Sequence, residues 1–189
     1  MKALLYCTKA KPRLIKGKHE FYTTDVRKDF ITPFQFENTL NGYIVAECDI
    51  DKVEEIKLFF CENVEEFEKQ SCLTMKQVVE YTGDFNKGYA LHLSNVKAFD
   101  ELKDMNSFYA NHCIDKYGIT SCDMLMKAPQ NMMNVCNSQG NRYVLISIQP
   151  QWLCKILNGE KTIEVRKQIL NCLKEMVEWP NLKKSNKQS

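Results

Sequence analysis

Apolar residues along this chain follow three rhythms, and each predicts a different element. An unbroken apolar run at Lys2 to Thr8 (KALLYCT), closed by the Lys-Pro of KAKP, predicts a short buried strand. HEFYTTD predicts a second strand leading into an irregular loop from Asp25 to Asn41. In GYIVAECDIDKVEEIKLFF, Ile44, Ala46 and Cys48 alternate with Val45, Glu47 and Asp49, and Val53, Ile56, Leu58 and Phe60 follow, which predicts a long or bent strand. KGYALHLSNVKAF sets Tyr89, Leu91 and Leu93 against Ala90, His92 and Ser94, the pattern of a strand with one buried face.

Helical signals are fewer. In SCLTMKQVVEYTGD, Thr74 stands three residues before Gln77 in a capping-box arrangement and Gly83 marks the stop, so a helix is expected from Met75 to Tyr81. The polar stretch Asp100 to Lys127 reads as loop with a short helix around Ser107 to Lys116. RYVLISI reads as strand. Pro150 is suited to a first helical turn, Trp152, Ile156 and Leu157 form an apolar side, and Gly159 permits a left-handed stop. A strand from Thr162 to Lys167 follows, with Ile163 and Val165 on one side and Thr162, Glu164 and Arg166 on the other. Finally QILNCLKEMVEW carries Ile169, Leu170, Leu173, Met176 and Val177 on one stripe, predicting a C-terminal amphipathic helix. It would dock on the domain or on a partner, and the polar residues 181–189 would form a flexible tail.

Composition narrows the class. The 189 residues, 44% apolar and 26% charged, suit one domain spanning about residues 1–180, without repeats or a dividing linker. No run nears the roughly 18 apolar residues of a membrane span, and the basic cluster follows rather than precedes the first apolar stretch, so neither membrane insertion nor export is expected. Nine scattered cysteines fit reduced thiols in a cytoplasmic protein. The close Cys/His pairs of a metal site are missing around His92, His112, Cys113 and Cys122, and no metal or cofactor is expected. Cys7 and Cys154 sit among apolar neighbours as core residues do.

The net charge of +2 conceals an uneven distribution: Lys2 to Lys28 is basic, whereas Glu47 to Glu68 is rich in carboxylates. A basic end of this kind is either a phosphate-binding surface or a solvated loop, and charge alone leaves both open.

VLISIQPQWLCKILNGEKTIEVRK, Val144 to Lys167, closely resembles the opening motif of ASCH domains, members of the PUA-like superfamily of small β-barrels often associated with RNA. LLYCTKAKP, NGYIVAECDIDKVEEI, SCLTMKQVVEYTG, KGYALHLSNVKAFD and APQNMM also resemble that family, so nearly the whole chain is covered. The order differs: the usual opening unit comes last here, which is the pattern of a circular permutation, with Cys136 to Tyr143 (CNSQGNRY) as the joining turn. The rival account is a truncated tandem or a unit exchanged between two chains. The resemblance implies an α+β fold, a small barrel of about five to seven mostly antiparallel strands with short flanking helices, in the phage and mobile-element type of the family.

It also implies a cleft lined by Lys161, Thr162, Glu164 and Arg166, with Lys9, Lys11 and Arg13 extending a phosphate track. Arg grips phosphate or a guanine edge, Glu accepts from an exocyclic amine, and Lys supplies a point charge, so the expected partner is RNA, a nucleotide or a modified nucleoside. On residues alone, Glu164 and Arg166 would as readily pair with each other on an exposed sheet face. Some small ASCH proteins are amidohydrolases acting on acylated cytidine through Lys, Thr and Glu. Lys161 matches the first, but Glu164 stands at the nucleophile position, and neither Glu68 nor Gln70 is aligned with the acid. A nuclease using Lys161 and Glu164 as acid and base is a further enzymatic alternative. Trp152 and Tyr143 are candidates for base stacking, though a Trp inside a short helix usually anchors a core. A homodimer or protein-interaction module through Gln168 to Trp179 is the remaining class.

Overall fold

A computed structural model describes residues 1–8, 42–56, 63–84, 88–110 and 128–177, together with two two-residue ladders, 14–15 with 18–19 and 114–115 with 118–119. Lys9, Lys11 and Arg13, the expected HEFYTTD strand and the tail at 181–189 lie outside the described residues.

KALLYC forms β1 (Lys2–Cys7) and RYVLISI forms β6 (Arg142–Ile148); they lie parallel, with Leu4 beside Leu145 and Cys7 beside Ile148. Both are buried on two faces, which is why their sequences read as continuous apolar runs. Ala3, Leu5, Val144 and Ile146 enter one core, whereas Leu4, Tyr6 and Leu145 enter a second with Ile44, Phe108 and Val135. The Val144 to Lys167 unit thus joins the sheet of its own chain.

The acidic segment becomes β2 (Ile44–Glu55), antiparallel to β1 and to β3 (Tyr89–Lys103). Register shifts between Ile44 and Ala46, Glu47 and Asp49, and Ile50 and Lys52 bend β2 as the mixed periodicity predicts. β4 (Tyr109–Ala110) and β5 (Met132–Cys136) extend the sheet beyond β6, and β7 (Ile163–Arg166) pairs with β3 at the opposite edge. The resulting order is β7-β3-β2-β1-β6-β5-β4, seven strands in which β1 with β6 is the single parallel pair. The expected strand number and mostly antiparallel character hold. The fold is α+β as expected, but the expected barrel is not formed: the sheet is not closed, and β7 and β4 are its two edges. Cys136 to Tyr143, expected as a joining turn, forms a hairpin in which Asn137 Oδ1 accepts from the amides of Gln139 and Asn141, and Gly140 takes φ 79°.

Among the described residues, four short helices flank the sheet. α1 (Val64–Ser71) escaped the sequence reading; its signal was Asn63, whose Oδ1 accepts from Glu66 N, followed by Glu65 and Glu66 in the first turn. α2 (Met75–Thr82) has the expected capping box between Thr74 and Gln77, and Gly83 ends it at φ 82°. α3 (Pro150–Leu157) starts on Pro150 and buries Leu153, Cys154 and Ile156 against the sheet.

Two expected helices are not formed. No helix occupies the described part of Ser107 to Lys116: a 3₁₀ turn at Met105–Ser107 leads into β4, because pairing of Tyr109 with Cys136 and Ala110 with Val135 outweighs a weak local preference. The long C-terminal amphipathic helix is replaced by one turn, α4 (Asn171–Lys174). Its stripe is instead consumed in the main core, where Ile169 and Leu173 are buried and Leu170, Met176 and Val177 pack against them, and Val177 forms an isolated bridge with Val53.

Candidate functional site

Thr8 follows β1 and Ile148 ends β6, so both lie where the parallel pair stops; the Thr8 amide donates to the Ile148 carbonyl at 2.9 Å. Beside this point a cavity of about 550 Å³ opens between α2, α3 and β7. That volume falls in the usual range of small-molecule sites, roughly 300 to 1,000 Å³. Ser147, Ile148, Gln149 and Gln130 form one wall, Gln77, Glu80 and Tyr81 of α2 another, and Trp152 of α3 a third. Lys161, Glu164, Val165 and Arg166, with Thr8 and Leu73, complete the lining.

β7 divides its side chains as its period requires. Ile163 and Val165 pack with Ile56, Phe67, Val78 and Ala90 in a small core under α1 and α2. Glu164 and Arg166 point the other way, yet they are only 8% and 6% exposed, so the exposed-face alternative is set aside.

The charges are held tightly. Arg166 Nη2 donates to the Ser147 carbonyl at 2.8 Å and lies 3.0 Å from Glu164 Oε1, and its Nη1 donates to Asn131 Oδ1 at 2.9 Å. Asn131 Nδ2 in turn donates to the Gln168 carbonyl at 3.3 Å. This side chain thereby ties the edge strand β7 to β6 and to the residue before β5, across the side on which the sheet is open. Arg166 Nε is buried without a partner.

Lys161 is 2% exposed; its Nζ donates to the carbonyls of Ser71 at 2.6 Å and Ile163 at 2.7 Å, and lies 3.4 Å from Glu164 Oε2. Burial lowers its pKa from the ordinary value, with Glu164 opposing the shift. Its Nζ also stands 5.6 Å from the centre of the Trp152 ring.

Of the residues expected on the cleft strand, Lys161, Glu164 and Arg166 are brought together. Thr162 is exposed and does not line the cavity; its backbone bonds to Gln70 and Leu93 instead. Glu68 is committed elsewhere, accepting from Met75 N at 2.7 Å at the start of α2, and Gln70 Nε2 donates to Glu66. Tyr143 lies edge-on to Phe108 at the other end of the sheet, so only Trp152 of the two candidate rings reaches the cavity. Gln77, Tyr81, Gln130, Ser147 and Gln149 were not anticipated; nothing in their local spacing tells of a wall formed by distant segments.

His92 is paired with Glu54, Nε2 to Oε2 2.6 Å. Cys7 and Cys154 are core residues, and burial raises the Cys154 thiol. Among the described residues no group of three or more His, Cys, Asp and Glu is placed to hold a metal, and no helix is long and apolar enough to cross a membrane. No protein-family model matches the chain, and no curated protein and no solved structure matches it.

Proposed function

We propose that the chain is a permuted ASCH-type, PUA-like domain of the cytoplasm that binds RNA, a nucleotide or a modified nucleoside in this cleft. One observation carries the reading: a cavity of about 550 Å³ with a buried Lys161, Glu164 and Arg166 cluster and the Trp152 and Tyr81 rings in its lining. Buried charge costs free energy that an exposed sheet face would avoid, and such clusters concentrate where a site is preorganised. Aromatic walls with glutamine amides are suited to a flat heterocycle with a hydrogen-bonding edge.

A thermal-shift panel of nucleosides, nucleotides and short RNAs tests this, since a ligand that binds only the folded chain raises its melting temperature. At least one member is expected to do so, and the shift should shrink in Trp152→Leu. A panel with no shift at millimolar concentration overturns the reading.

A hydrolytic reading has its own support, the lowered pKa of Lys161 beside a carboxylate, which is how a lysine base is made. Against it, three acceptors already surround that ammonium, and no hydroxyl nucleophile stands at residue 164. Release of the acyl group from acylcytidine by the wild type, abolished in Lys161→Met, would favour hydrolysis.

A further inference from the structure

Resting on that reading, we infer the direction in which the ligand lies: an uncharged, amine-bearing ring points inward to Glu164, and the ligand's phosphate stays at the mouth on Lys167 beside Tyr81.

Counting hydrogens at the inner charges leads there. Lys161 has three N–H groups and three acceptors within 3.4 Å: Ser71 O, Ile163 O and Glu164 Oε2. Arg166 commits Nη2 to Ser147 O and Glu164 Oε1 and one Nη1 hydrogen to Asn131 Oδ1; of its five N–H groups the second on Nη1 and the one on Nε, sealed from solvent, are left over. A phosphate at the inner end would compete with these bonds and face the Glu164 carboxylate. Lys161 and Arg166 are therefore positioning residues that aim Glu164.

Glu164 is the inner acceptor with capacity to spare. A carboxylate accepts about four hydrogen bonds, and Lys161 and Arg166 use one each. What remains calls for a donor. Lys161 and Arg166 at 3.4 and 3.0 Å from Glu164 disfavour a cationic donor at that carboxylate and select a neutral amine on a ring, while Glu80, the second carboxylate of the lining, is exposed.

The mouth is different. Tyr81 lines the cavity yet is 41% exposed, and Lys167, also exposed, holds its Nζ 5.3 Å from the Tyr81 ring centre. A cation resting on a ring face keeps N–H donors for an anion. Lys167 lies in the bend just past the end of β7, where its side chain is exposed.

The test compares adenosine, cytidine, inosine and uridine, each with its 5′-monophosphate, by calorimetry on wild type, Lys167→Ala and Lys167→Glu. Amine-bearing rings are expected to bind about tenfold or more tighter than their carbonyl counterparts, which leave Glu164 facing an acceptor. The phosphate should add about threefold, an increment lost in Lys167→Ala, reversed in Lys167→Glu and weakened by salt, while nucleoside affinity is unchanged. Equal binding of uridine and cytidine, or a phosphate increment indifferent to residue 167, overturns this orientation and leaves the binding function standing. If none of the eight ligands binds any form, the function itself fails and the orientation with it. Lys167 is exposed, so both variants should fold, which circular dichroism checks.

Discussion

Replacing Arg166 with methionine removes the side chain that ties β7 to β6, and its cost can be worked from the contacts. The change deletes charge-assisted bonds to Ser147 O and Asn131 Oδ1 and the pairing with Glu164, all at 3.0 Å or less. Removing one partner of a buried ion pair costs about 3 to 5 kcal/mol, because the groups left behind stay desolvated. The adjoining cavity admits water to some of them, which places the expectation near the lower figure. With a urea slope of about 2 kcal/mol per molar, a loss of about 3 kcal/mol moves the unfolding midpoint down by roughly 1.5 M. Glu164→Gln is the informative comparison: it leaves Lys161 and Arg166 buried without a counter-charge and turns an amide NH2 toward one of them, so its cost should also be about 3 kcal/mol or more. The double variant should cost less than the sum of the two, since one interaction is lost in both. If Arg166→Met costs under about 1 kcal/mol, or the two single costs add fully in the double variant, Arg166 is not the tie across the open side and the reasoning is wrong.

Gly88, at φ +140°, would place a Cβ 2.8 Å from Ile56 Cδ1 and 2.9 Å from Thr82 Cγ2. Gly88→Ala should therefore cost about 2 to 4 kcal/mol, whereas Gly83→Ala, in open space, should cost about 1 kcal/mol for its left-handed backbone alone; equal costs in urea melts would contradict this. Lys161 titrates with a known sign. Burial holds its folded pKa below the ordinary 10.5, so between those values the unfolded chain binds more protons and stability attributable to this residue rises with pH. The stability of wild type minus that of Lys161→Met should climb as pH approaches 10.5 from the lowered pKa; a flat or falling difference would refute the burial.

Elements with a strong local signal were legible from the chain alone: β1 and β6 by their unbroken apolar runs, β2 and β3 by alternation, α2 by its capping box and α3 by Pro150. Two failures share a cause. A two-residue strand such as β4 has too few positions to show a period, and a helical stripe at residues 169–177 satisfies a core equally well as separate anchors, with Ile169 buried ahead of one short turn and Leu173 buried within it.

The candidate site divides in the same way. Which residues alternate on β7 follows from a two-residue period that the sequence determines by itself. Whether Glu164 and Arg166 meet solvent or a closed cleft depends on Ser147 and Asn131, 19 and 35 positions from Arg166, and on α2 and α3 arriving over the strand. Burial is a property of neighbours brought in by the fold, so only the tertiary structure decided that this polar row carries buried charge and that Thr162, at its outer end, stays out of the cavity.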